Sequence, residues 1–152
     1  MRSATATLAP VRVSVETLLG GKRVLKRKPR SPLDWVAVIR EGIPSQASVS
    51  LAEWVGISQS ELAAALGIPQ RTLARRRREG TLNSEESAKI VRLARVVQRA
   101  AEVFPDLDAA LDWLKSPNAA LSHETPLNLL DTDVGSDSVM DTLGRIEHGV
   151  FA

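Results

Sequence analysis

The densest chemistry in the chain lies in PQRTLARRRREG, Pro69 to Gly80, where Gln70, Arg71 and Thr72 lead into four consecutive arginines, Arg75 to Arg78. Arginine pairs bidentately with guanine edges and glutamine with adenine edges, while further arginines hold phosphates, so this composition suits the grooves of duplex DNA. A helix turns about 100° per residue, so four adjacent arginines cannot all face one partner. With Leu73 inward, Arg76 and Arg77 lie near the buried face, their stems covering apolar surface while their charges reach water or a phosphate. Arg71, Arg75 and Arg78 form the outward stripe, with Gln70 and Thr72 beside its start. Taken alone the run reads equally well as a solvated charged face. Nothing else in the chain competes as chemistry. Histidine occurs only at His123 and His148, cysteine is absent, and no nucleophile elbow, phosphate loop or paired metal-ligand spacing surrounds either histidine. No catalytic residue, metal or cofactor is expected.

The elements around the run favour the nucleic-acid reading. Ser58 and Glu61 make a capping-box pattern, Leu62 and Leu66 share a helix face, Gly67 permits a tight turn, and a second helix starts at Pro69. Two short helices joined by a few residues containing glycine make a helix-turn-helix. Such a module reads only a few base pairs, so a homodimer on a palindromic operator is expected. Upstream, SPLDWVAVIREGIP reads as a helix with Ser31 as cap, Pro32 at its first position and Leu33, Val36 and Ile39 along one stripe. A short helix across ASVSLAEWVG follows. Downstream, Asn83 and Glu86 open a long helix through SEESAKIVRLARVVQRAAEVF; DLDAALDWLK, TPLNLLD and GSDSVMDTLGRIEHG follow, the last with Val139, Leu143 and Ile146 on one stripe. Trp35 and Trp113 are expected as core anchors.

The fold class expected is all-α. Hydrophobic content of 43% supports a core, and the scarcity of aromatic residues leaves it to Ala, Leu, Val and Ile. No apolar run would span a bilayer, and no signal-like segment follows Met1, so a cytoplasmic protein is expected. A net charge of +2 conceals a division: residues 1–100 hold eighteen Lys and Arg against eight Asp and Glu, and residues 101–152 hold two against ten. The two halves therefore suit different partners. The expected organisation is a flexible basic N-terminal arm over 1–30, a helical region over 31–95 with the helix-turn-helix at about 58–79, and an acidic helical domain over 96–152, joined by the long helix.

Gln59 to Arg78 resembles the helix-turn-helix of Xre-type regulators, with Leu62, Ala63, Leu66, Gly67, Ile68 and Leu73 on its apolar or small positions and a departure at Arg76, where a hydrophobic residue is usual. WLKSPNAAL, TPLNLLDTDVG and LGRIEHGVFA resemble the toxin-binding C-terminal domain of the Xre/MbcA/ParS-type antitoxins, with Trp113, Pro117, Asn118, Pro126, Thr132, Gly135, Arg145, Glu147, His148 and Gly149 in register. Ser122 and His123 stand where two glycines are common. The likeness covers about residues 31–152. It implies an antitoxin that neutralises a RES-domain toxin, an enzyme that destroys NAD, and represses their shared operon. The segment thought to cover the toxin's active site would here comprise Arg145, Glu147, His148, Gly149, Val150, Phe151 and Ala152. The alternative is a stand-alone helix-turn-helix transcriptional regulator whose C-terminal domain senses a ligand or partner.

Overall fold

A computed structural model describes residues 13–149. Eight α-helices form among them and no strand: α1 (Val15–Leu18), α2 (Pro32–Glu41), α3 (Gln46–Val55), α4 (Gln59–Leu66), α5 (Gln70–Glu79), α6 (Ser84–Val103), α7 (Leu107–Leu114) and α8 (Asp133–Glu147). The all-α expectation is met. Both capping boxes form as the sequence dictates. The Ser58 hydroxyl accepts from the Glu61 amide while the Glu61 carboxylate accepts from the Ser58 amide, and Asn83 and Glu86 do the same at the start of α6. Gly67 supplies the left-handed turn between α4 and α5, at φ 69°.

The long helix α6 is the spine. Its stripe of Ile90, Leu93, Ala94, Val97 and Ala100 is sealed from water, with α1, α2, α3, α4, α7 and α8 packed around it. The boundary expected between residues 95 and 96 falls inside this helix, and one apolar cluster runs from Val13 to Leu143 across it. The halves also meet away from α6: Lys115 Nζ donates to the Val55 carbonyl at 2.9 Å, and Gly67 lies so close to Asp131 that a Cβ there would stand 3.2 Å from the Asp131 carbonyl.

Two expectations need correction. The flexible arm over 1–30 does not hold from residue 13 onward, because Val13, Val15, Leu18, Leu19, Val24 and Leu25 are all buried. Ser14 caps α1, and Ser50 Oγ donates to the Leu18 carbonyl at 2.9 Å. Apolar burial outweighs the basic, glycine-containing surroundings that suggested a linker. Residues 1–12 lie outside the described residues. The stripe of α2 is also turned: Leu33 is 79% exposed and Val36 38%, while Trp35, Val38 and Ile39 face the core. Helical spacing alone fits either set, and the bulk of Trp35 with Ile39 decides it.

TPLNLLD forms only a 3-10 turn, Pro126–Leu129, capped by Thr125. Before it, Ser122 and His123 adopt left-handed backbone at φ 58° and 65°, the conformation glycine adopts freely and other residues at a cost of about 1–2 kcal/mol. Their backbone closes a tight loop in which the His123 amide donates to the Asn118 carbonyl at 2.8 Å. Ser122→Gly and His123→Gly should each stabilise the chain by about 0.5–1 kcal/mol, because relief of strain exceeds the added freedom of the unfolded chain. Urea unfolding midpoints check this, and a lower midpoint in both variants would count against strain.

Candidate nucleic-acid interface and acidic face

Helix α5 buries only Leu73, which leaves its arginines to be sorted by what holds them. Gln70, Arg71 and Arg78 are exposed and Thr72 is half-buried. Arg75 is half-exposed, with Glu79 Oε2 at 3.7 Å from its Nε, a loose surface pair of little strength. These five side chains form the outward surface the sequence implies.

Arg76 is placed otherwise. Its Nε donates to Glu86 Oε1 at 2.8 Å and its Nη1 to Glu79 Oε1 at 3.0 Å. The Glu86 carboxylate, 8% exposed, also accepts from the Asn83 amide at 2.9 Å. Hydrogen bonding to Glu86, then to Glu79, holds the Arg76 guanidinium still more firmly protonated than usual. An arginine thus occupies a position where an apolar side chain is common because its charge is answered by the capping residue of the next helix. Arg76 is a tie between α5 and α6 rather than a free phosphate clamp. Arg77 is partly committed as well, its Nη1 donating to Gln59 Oε1 at 2.6 Å, while Gln59 Nε2 donates to the Ser48 carbonyl at 3.2 Å. That relay locks α5, α4 and α3 together.

At the other end, α8 carries Asp133, Asp137 and Asp141 at four-residue spacing, all exposed, with Arg145 completing the line. Val134, 77% exposed, stands beside it. Arg92 of α6 pairs with Asp133 and donates through Nη2 to the Leu130 carbonyl at 3.0 Å, fixing the start of α8. Arg99 fixes its end, reaching Glu147 through two parallel bonds of 2.7 and 3.0 Å. Hydrogen bonding to Arg99 holds the Glu147 carboxyl below its ordinary range. Glu147 is therefore an anchor, while Arg145 and His148 remain exposed and Gly149 turns the chain at φ 73°. Val150, Phe151 and Ala152 lie outside the described residues.

The anchoring arginines Arg92 and Arg99 escaped the sequence reading, since a pair 41 or 48 residues apart has no local signature. The acidic line on α8 could have been found from its spacing of four. Among the described residues no group of three His, Asp or Glu could hold a metal ion, and no helix is long and apolar enough to cross a membrane.

Comparison with known proteins divides the chain as its charges do. Residues 34–95 match the Antitoxin Xre-like helix-turn-helix domain, and residues 99–149 match the Antitoxin Xre/MbcA/ParS C-terminal toxin-binding domain. The chain is 37% identical over 136 residues to Antitoxin Xre of Yersinia enterocolitica, covering 86% of this chain and 92% of that protein. It is 26% identical over 132 residues to the Prs ADP-ribosylating antitoxin of a Sphingobium species, covering 80% of this chain and 83% of that one. In structure it resembles a chain of the M. tuberculosis MbcT-MbcA toxin-antitoxin complex, with a TM-score of 0.54 and 26% identity, over 71% of this chain and 96% of that chain.

Proposed function

Because the chain belongs to the Xre antitoxin family and carries its toxin-binding domain, we propose that it neutralises a RES-domain, NAD-degrading toxin by covering the toxin's active site with the segment from Arg145 onward, and that it represses its own operon through α5. The observation that carries the reading is the match of residues 99–149 to the toxin-binding domain. The end of α8 supports it locally: Arg99 anchors Glu147 and leaves Arg145 and His148 facing outward where the described residues end. The acidic line of α8 suits a basic pocket that handles a dinucleotide's phosphates. In the DNA-binding half, Gln70, Arg71, Thr72, Arg75 and Arg78 are the groove-facing set, Arg77 a shared contact, and Arg76 a support. A homodimer on a palindromic operator gives such a short module two half-sites.

Co-expression with the gene beside its own in the host tests the reading. The expected result is a stoichiometric complex whose partner consumes NAD when freed and is silent when bound. In parallel, Arg71→Ala with Arg75→Ala should remove preference for the operon's own upstream duplex over a shuffled one, at about 1–3 kcal/mol per lost base contact. Arg76→Ala should instead lower thermal stability. A partner that consumes no NAD would overturn the toxin assignment, and unchanged preference in the double variant would overturn the stripe.

A further inference from the structure

Between α1 and α2 the chain reads GGKRVLKRKPRSP, six cations without one acid. The segment is not a loose tail. Val24 and Leu25, in its middle, are 9% and 4% exposed, and a 3-10 turn, Gly21–Arg23, enters them. Lys22, Arg23, Lys26, Arg27, Lys28 and Arg30 are all exposed. Arg27 is paired with Glu41 at 2.9 Å, and among the described residues no ion pair engages the others. Two buried apolar residues thus hold a row of like charges in place, an arrangement that self-repulsion opposes unless an anionic partner answers it.

The position of this strap indicates the partner. Leu25, Lys26 and Arg27 line a cleft of about 460 Å³ together with Glu41, Gly42, Pro44 and Thr81. Thr81 directly follows Gly80, the glycine that caps α5, and pairs with Pro44 in an antiparallel bridge. On its other side the strap begins at Gly20, where a Cβ would stand 3.6 Å from that of Ser50 in α3, and the Ser48 carbonyl of α3 accepts from Gln59, the residue that receives Arg77. The strap therefore lies alongside the end of α5 that carries Arg77 and Arg78. It also lies outside residues 34–95, the part that matches the helix-turn-helix domain.

We propose that residues 22–28 form a second, sequence-independent duplex contact, in which Lys22, Arg23, Lys26 and Lys28 neutralise backbone phosphates flanking the base pairs that α5 reads. The proposal rests on the DNA-binding part of the reading above. Cations on a preordered backbone give affinity and salt dependence but no discrimination between sequences.

The test compares the full chain, the variant Lys22→Gln/Arg23→Gln/Lys26→Gln/Lys28→Gln, and the Arg71→Ala/Arg75→Ala variant on two duplexes, the operon's upstream sequence and its shuffled counterpart, across a KCl series. All four strap side chains are exposed, so the melting temperature should hold. Four phosphates at about 0.9 salt-slope units each predict a slope shallower by about 3 to 4, hence roughly a hundredfold smaller loss of affinity between ~50 and ~200 mM KCl. The loss should fall equally on both duplexes. A slope within about one unit of the parent, with preference abolished only by the arginine variant, overturns the strap and leaves α5 as reader. A shallower slope with preference intact in the arginine variant supports the strap while removing the proposed stripe. No salt-dependent binding by the full chain overturns both.

Discussion

Gly135→Ala should lower the melting temperature of the chain by roughly 6–12 °C, while Gly144→Ala in the same helix should hold or slightly raise it. Both glycines lie within α8 and neither needs positive φ, so helix propensity alone predicts that each replacement helps by about 1 kcal/mol. Space separates them. A Cβ on Gly135 would stand 1.8 Å from the Leu129 carbonyl oxygen, whereas one on Gly144 meets nothing within 4 Å. The obstruction at Gly135 is backbone, held by the turn Pro126–Leu129, so it cannot swing aside as a side chain would. Forcing it costs about 3 kcal/mol or more, at the upper end of overpacking effects. The damage should centre on the junction of that turn with α8, where Leu130 is buried and its carbonyl receives Arg92. Thermal melts of the two variants decide the point, and hydrogen exchange should show protection lost first in α8. Equal melting temperatures would mean that the two segments do not approach so closely.

What could be read from the sequence was what is local. Capping boxes at Ser58 and Asn83, the turn glycine at Gly67 and the inward Leu73 each follow from residues within four positions of one another, and each forms as expected. Three features needed the tertiary structure. Val13 to Leu25 carry no long periodic stripe, so their burial depends on the faces that α3 and α6 present. The turn of α2 depends on which of two helical stripes meets the core. At the site, the outward arginines are a matter of helix geometry, but the diversion of Arg76 depends on Glu86, which the short loop over 80–83 sets in the first turn of α6 within reach of the last turn of α5. The sequence marked position 76 as a departure from a pattern, and the physical cause is a paired charge rather than a missing core residue. Likewise Ser122 and His123 stand where the family they resemble commonly has glycines, and their backbone keeps the glycine-like conformation.

Two shortened chains separate anchoring from inhibition. If, as proposed, the segment from Arg145 onward covers the active site of a toxin, a chain ending at Gly149 should still form a stable complex with that toxin but inhibit it far less, whereas one ending at Gly144 should also bind it less tightly. The first loses Val150, Phe151 and Ala152 and keeps the Arg99–Glu147 pair, whose two bonds fix the end of α8 against α6. The second removes that pair and the half-buried Ile146 as well, so the last turn of α8 loses its hold on the body. Phe151 is the one large apolar side chain after Ile146, and burying a phenylalanine is worth about 1.5–3 kcal/mol, or roughly 10- to 150-fold in occupancy of a cleft. Residual NAD consumption in the purified complexes should therefore rise by one to two orders of magnitude when only the last three residues are removed. Full inhibition by the chain ending at Gly149 would move the blocking element back to Arg145 and His148. Loss of complex formation by that same chain would mean that the tail supplies the affinity, leaving the acidic line of α8 a minor part of the contact.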